Sequence, residues 1–128
     1  MNFPKNLKYD KEHNWIDEKN GQAIIGMIEP SAKKTKEFIF INLPKKGEKI
    51  KKGQTYASLE AVKWAGNIKS PLSGEIIEIN MKAYDEPSII NDSPYSAWLV
   101  KMKISNEKEL KELMNSQEAL KHYEKEFK

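Results

Sequence analysis

Short stretches in which apolar and polar residues alternate, separated by turn-forming residues, make up most of the chain. This alternation predicts strands over residues 13–16 and 22–28, joined through the turn Lys19-Asn20-Gly21. Further strands are predicted over 38–43, 55–62, 75–80 and 98–104. Many short strands with turn signals between them predict a mainly β fold, a small barrel or sandwich.

Two parts of the chain follow a helical period instead. Glu29-Pro30-Ser31 predicts the start of a short helix that runs to about residue 37, with Ser31 as a candidate cap. Near the C-terminus, Asn106 and Glu109 resemble a capping box. Asn115 and Ser116 interrupt the apolar period there. We therefore expect one domain over 1–128, with a core at about 7–104 and a helical segment at about 106–127.

Composition excludes several function classes. The chain has 128 residues and 22 basic side chains, all of them lysine, so it lacks the arginine that best reads guanine or phosphate. It has no cysteine and two histidines, which disfavours a metal site. No apolar run resembles a signal or a membrane span. We expect a cytoplasmic protein without metal, membrane or nucleic-acid partners.

Lys63 is the most informative single residue, because it lies between two predicted strands. The turn is predicted over 63–67, with Gly66 and Asn67 supplying turn chemistry. A lysine at the tip of a hairpin suits the attachment of a prosthetic arm. From the residues alone, an unmodified surface lysine is the simpler interpretation. Asp85, Glu86 and Asp92 are interpreted as loop residues near prolines rather than as a catalytic pair of carboxylates.

Over about residues 7–114 the chain resembles the H-protein of the glycine cleavage system, a lipoyl carrier. The resemblance rests on pieces that occur in order and at matching spacings, among them His13-Asn14-Trp15, Gly26-Met27-Ile28, Glu60-Ala61-Val62-Lys63, Ser73-Gly74-Glu75 and Ser93-Pro94-Tyr95. It implies a barrel-sandwich hybrid fold and a non-catalytic carrier. It also implies lipoate joined to Lys63 by an amide that removes the lysine charge. Glu60 and Gly74 hold the positions associated with recognition by the lipoylating enzyme.

The chain departs from the family pattern next to the lysine. Asn14 and Asn67 stand where the family has carboxylates that would neutralise an amine on the loaded arm. Trp64 follows the lysine, where the family more often has a small residue. Asn14, Asn67 and Trp64 are our candidate contacts of the arm. Glu12 and Glu60 lie close by in sequence and are candidates to compensate.

Three functions follow. The missing carboxylates favour a lipoate-binding carrier of cytoplasmic sulfur oxidation that works with a heterodisulfide-reductase-like complex. The alternative is a glycine cleavage H-protein between glycine decarboxylase and aminomethyltransferase. Both need a lipoate ligase or another lipoylating enzyme, and both use dihydrolipoamide dehydrogenase. The third, a basic barrel that binds single-stranded nucleic acid, is disfavoured because the tryptophans are scattered. No nucleophile–base pair is evident, so we expect no enzyme.

Overall fold

The computed structural model describes residues 1–127, and Lys128 of the predicted 1–128 domain lies outside the described residues. Strands dominate the described part of the chain, and their bounds are β1 Lys8–Tyr9, β2 Asn14–Lys19, β3 Gln22–Met27, β4 Phe38–Asn42, β5 Lys49–Ile50, β6 Thr55–Ala61, β7 Trp64–Lys69, β8 Gly74–Ile79 and β9 Val100–Ile104. The helices are α1 Glu29–Lys34, α2 Met81–Asp85, α3 Ser88–Asp92 and α4 Ser116–Glu126, with a 3₁₀ helix at Glu107–Glu112.

The strands form two antiparallel sheets. A six-stranded sheet has the order β1-β2-β3-β9-β8-β5, and a three-stranded sheet has the order β4-β6-β7. The predicted mainly β architecture, with a short helix after the first strands and a helical C-terminus, is therefore confirmed. Antiparallel neighbours with short connections are expected for strands this short.

The structure agrees with one of the two predicted hairpin turns and differs from the other. The turn between β2 and β3 is confirmed at Asn20-Gly21, where both residues have positive φ. The turn between β6 and β7 is tighter than predicted, because Ala61 pairs with Trp64 and leaves only Val62 and Lys63 in the loop. Gly66 and Asn67 are therefore residues of β7, and the expectation that they form the turn is wrong.

The helix predictions need corrections of the same kind. Helix α1 ends at Lys34 rather than near residue 37, and its N-cap is Ile28 without a side-chain cap. Ser31 instead lies within the helix and is buried. Asp85 and Asp92 end the short helices α2 and α3, which the sequence did not predict. The missed helices have only five residues each, too short for a helical period to be read.

Near the C-terminus, side-chain caps mark where the 3₁₀ helix and α4 begin. Asn106 caps the 3₁₀ helix, but the Glu109 carboxylate accepts from the Ser73 backbone N–H and hydroxyl instead of closing a capping box. The real capping box joins Asn115 and Glu118 and starts α4. The interruption of the apolar period at Asn115 is therefore a helix start.

Two apolar clusters hold the fold together. The larger one fills the space between the sheets. The smaller one joins the N-terminal segment, β1, β2 and α4, and consists of Phe3, Leu7, Tyr9, Trp15, Ile28, Ala119 and Tyr123. Since Phe3, Ala119 and Tyr123 are buried in it, the packed part of the chain extends beyond the predicted core at 7–104 on both sides.

Candidate functional site

Lys63 lies at the tip of the β6–β7 hairpin, where its side chain is exposed. Its φ of 62° is in the left-handed region, which is uncommon for a residue with a Cβ atom. The neighbouring Val62 is also exposed, at 60%. The turn thus presents the amine to solvent on a rigid pair of strands, which suits a group that an external enzyme must reach.

A half-open cleft of about 280 Å³ begins beside this turn. Its lining comes from the β1–β2 loop, β3, α1 and the residue after it, β7 and the C-terminus, namely Glu12, His13, Met27, Ser31, Lys34, Thr35, Trp64, Asn67, Ile68 and Phe127. This lining combines apolar side chains with one carboxylate and one ammonium. Such a lining suits an apolar chain that ends in a polar or reactive group.

Trp64 and Asn67 both line the cleft, as the candidate contacts of an arm would. The Trp64 side chain is 42% exposed and its ring centroid lies 6.0 Å from that of Phe38. It folds back over Gly66, where a Cβ atom would lie 2.6 Å from the indole. The large residue after the lysine therefore forms a wall between the turn and the cleft.

Asn14, in contrast, does not line the cleft. It is fully buried, and its side-chain N–H groups donate to Asp10 Oδ2 at 2.8 Å and to the Lys69 carbonyl at 2.7 Å. Its Oδ1 accepts from the Tyr56 hydroxyl at 2.7 Å. The polar atoms of Asn14 are therefore paired inside the barrel, and the structure places this residue apart from Trp64 and Asn67.

Asn14 is uncharged, but its hydrogen-bond partner Asp10 has a carboxyl group. Asp10 accepts from the Asn14 backbone and side chain and from the Glu12 backbone. Burial raises the pKa of Asp10 to about 6, although these hydrogen bonds oppose the shift. The network fixes the β1–β2 loop and so holds Glu12 at the cleft.

Glu60 and Gly74, the predicted recognition residues, lie in different surroundings. Glu60 is exposed on β6, three residues before the lysine, and lines no part of the cleft. Gly74 is buried at the start of β8, where a Cβ atom would lie 2.3 Å from the Lys103 carbonyl oxygen. Close packing of β8 on β9 is thus sufficient reason for a glycine at residue 74.

Sequence reasoning missed three residues beside the cleft. His13 Nδ1 lies 2.5 Å from Ser31 Oγ, and His13 Nε2 lies 2.7 Å from Glu126 Oε2. Ser31 and Glu126, the two partners of His13, are separated by most of the chain, so no local sequence motif could reveal that they meet at the same histidine. The Ser31–His13 contact arises from tertiary structure and leaves the expectation of a non-catalytic carrier unchanged.

Two antiparallel sheets that present an exposed lysine at a hairpin tip beside a partly apolar cleft have the arrangement of a carrier-type protein. The chain matches the family described as "Glycine cleavage H-protein" over residues 7–126. It is 37% identical over 117 residues to a glycine cleavage system H protein of Staphylococcus epidermidis RP62A, covering 91% of this chain and 93% of that protein.

A glycine cleavage system H protein of a second S. epidermidis strain, ATCC 12228, is 36% identical over 117 residues. A crystal structure of a glycine cleavage system H protein from Mycobacterium marinum superposes with a TM-score of 0.85 at 25% identity, covering 94% of this chain and 98% of that one. The chain belongs to the glycine cleavage H-protein family.

Members of this family are non-catalytic carrier subunits with lipoate joined covalently to a lysine. The relatives are named as glycine cleavage proteins, so the comparisons support that hypothesis better than sulfur oxidation. No helix within residues 1–127 is long and apolar enough to span a membrane.

Proposed function

We propose that Lys63 carries the lipoyl group and that the cleft beside it receives the arm. The observation that carries this proposal is the exposed lysine on a two-residue turn, whose neighbour Trp64 is also a wall of the cleft. The apolar lining residues Met27, Ile68 and Phe127 match the hydrocarbon part of such an arm. The bound group would supply a dithiol that accepts and releases cargo.

Intact mass tests the attachment. The chain is co-expressed with a lipoate ligase, and the wild type is expected to gain the mass of one lipoyl group. Lys63→Arg keeps the charge but is expected to gain none, whereas Lys69→Arg on the same hairpin is the matched control and should be modified normally. An unmodified wild type, in cells where another acceptor is modified, refutes the proposal.

We further propose that the carrier serves glycine cleavage, taking an aminomethyl group from glycine decarboxylase to aminomethyltransferase. Dihydrolipoamide dehydrogenase would reoxidise the dithiol. The names of the similar proteins support this pathway. The cleft adds a physical argument, because Glu12 offers a carboxylate to a cationic amine although Asn14 and Asn67 are neutral. The predicted cytoplasmic location is part of this proposal.

Exchange of bicarbonate with the glycine carboxyl group, in the presence of glycine decarboxylase, tests the pathway. Lipoylated wild type should support it, Glu12→Gln should weaken it several-fold, and Asn67→Asp should leave it equal or stronger. Glu18→Gln, an exposed carboxylate on β2, is the control. Absence of exchange with fully lipoylated protein would instead favour the sulfur-oxidation carrier and its heterodisulfide-reductase-like partner.

Recognition by the lipoylating enzyme is proposed to involve Glu60 directly, since that side chain is exposed near the turn. Glu60→Gln should slow lipoylation of a folded protein, as followed by intact mass over time. Gly74 is buried, so Gly74→Ala should slow lipoylation only in proportion to lost folding. An equal rate for Glu60→Gln and wild type would remove Glu60 from the recognition surface.

A further inference from the structure

A hydrogen-bonded line of three side chains crosses one wall of the cleft. Ser31 comes from α1, His13 from the β1–β2 loop and Glu126 from the end of α4, with contacts of 2.5 Å and 2.7 Å. Ser31 and His13 both line the cleft that begins at the Lys63 turn. A hydroxyl, an imidazole and a carboxylate in this order are the parts of a proton-accepting relay.

The relay has a defined direction when the imidazole is neutral. The Glu126 carboxylate can only accept, so a neutral imidazole would donate Nε2–H to it and would keep the Nδ1 lone pair for the Ser31 O–H. The Ser31 oxygen then retains acceptor capacity toward the cleft. Ser31 is only 9% exposed, which limits competition from solvent.

The backbone around His13 is held in place from two sides. Its φ of 71° is in the left-handed region, a conformation that costs free energy and persists only where the surroundings impose it. The His13 N–H donates to the Tyr123 hydroxyl at 3.0 Å, and its carbonyl accepts from Ile28 at 3.0 Å. The imidazole is therefore aimed at Ser31 by contacts outside the cleft.

We propose that this relay deprotonates the thiol of the reduced arm when it lies in the cleft. The Ser31 oxygen accepts the thiol proton while the Ser31 hydroxyl proton passes to His13 Nδ1. The resulting imidazolium is stabilised by Glu126, and the sulfur is left as the thiolate. The proposal rests on lipoylation of Lys63 but not on the pathway, since any cargo would be loaded on sulfur.

The charges around the relay are mixed. Lys34 lines the same cleft and lies over the Phe127 ring at 5.2 Å, so its ammonium favours a thiolate. The Glu12 carboxylate, in the β1–β2 loop, has the opposite effect because it disfavours a nearby thiolate. From α4, His122 Nε2 lies 3.7 Å from Glu126 Oε1, and Tyr123 packs against His13. Asp10 is the first residue of the same loop as Glu12. Among these groups, His13 alone joins the cleft hydroxyl to a carboxylate.

The test is the pH profile of arm alkylation. Lipoylated wild type is reduced with dithiothreitol, freed of reductant, and treated with iodoacetamide, whose reaction requires a thiolate. We expect the protein-bound thiol to react at neutral pH roughly tenfold faster than free dihydrolipoamide. Ser31→Ala and His13→Asn should move the profile to that of the free thiol, and Glu126→Gln should move it part of the way. Asn is chosen because it tolerates positive φ.

Glu124→Gln, an exposed carboxylate on the same helix, should leave the profile unchanged. Ser31→Ala leaves the His13 loop and its backbone contacts intact, so it tests the relay even if His13→Asn misfolds. A Ser31→Ala profile that coincides with the wild-type profile overturns this proposal. Missing lipoyl mass on the wild type refutes the proposed attachment instead, so the two failures are distinguishable.

Discussion

At residue 74 the packing of β8 on β9 leaves no space for a side chain. A Cβ atom would meet the Lys103 carbonyl at 2.3 Å and Met102 Cγ at 2.5 Å. We expect Gly74→Ala to cost about 1–3 kcal/mol of unfolding free energy, measured in urea. Gly66→Ala in β7 is the matched comparison, because there the clash is with the Trp64 side chain, which can move. Equal losses for the two variants would contradict the packing explanation.

Asp10 gives the folded protein a pH dependence of identifiable origin. Its pKa of about 6 in the folded state exceeds the 3.8 of an unfolded chain, because burial disfavours the charge. Between about pH 4 and 6 the folded state holds a proton that the unfolded state has released, so stability falls as pH rises. We expect a loss of up to about 3 kcal/mol over this range, which Asp10→Asn abolishes.

Urea unfolding of both proteins at several pH values checks this prediction. The difference between wild type and Asp10→Asn isolates the Asp10 contribution. Parallel stability curves for the two proteins would mean that Asp10 has the same pKa in the folded and unfolded states.

Nearness to Lys63 along the hairpin can be read from the sequence. Trp64 and Asn67 follow the lysine closely on β7 and both line the cleft, whereas their contact with an arm stays a prediction. The burial of Asn14 was not predicted, because it depends on Asp10, Tyr56 and Lys69, which arrive from three other segments. His13 and Glu126 meet only through tertiary packing, which no spacing in the sequence encodes.

At the scale of elements, α4 depends on its N-cap residue, Asn115. The Asn115 side chain accepts from the Glu118 N–H, and the Glu118 carboxylate accepts from the Asn115 N–H, each at 2.9 Å. We expect Asn115→Ala to cost about 1 kcal/mol in urea unfolding. Glu118→Gln keeps an acceptor for the reciprocal bond and should cost less. A neutral Asn115→Ala would show that packing of Ala119 and Tyr123 alone holds the helix.

Element types were predicted better than element ends. The strands around residues 55–62 and 22–28 are where alternation placed them, because one face of each strand is buried. The predicted β6–β7 turn is longer than the observed one, because Gly and Asn favour turns when only the local sequence is considered. In the structure, Gly66 pairs with Leu59 and Asn67 pairs with Ser58, so both residues extend the strand. Tertiary pairing overrode a local preference.

At the scale of the whole molecule, Tyr123 ties the C-terminal helix to the first loop. Its hydroxyl donates to the Asp10 carbonyl at 2.6 Å and accepts from the His13 N–H at 3.0 Å. Tyr123→Phe keeps the ring in the smaller apolar cluster but removes both bonds, at an expected cost of about 1–3 kcal/mol.

Hydrogen exchange gives the local readout for Tyr123→Phe. The His13 amide should be protected in the wild type and exchange faster in the variant, whereas amides in β9 should change only with global stability. Unchanged protection of the His13 amide would contradict a role of Tyr123 in holding the loop that carries Glu12 to the cleft.

The left-handed backbone of Lys63 implies a trade-off between foldability and modification. A residue with a Cβ atom in this conformation costs about 1 kcal/mol relative to glycine. Lys63→Gly should therefore raise the melting temperature while abolishing any acceptor amine, and Lys63→Ala should not raise it. If so, selection for stability alone would replace Lys63 with glycine. A lysine at this position would then be retained only because its amine is needed.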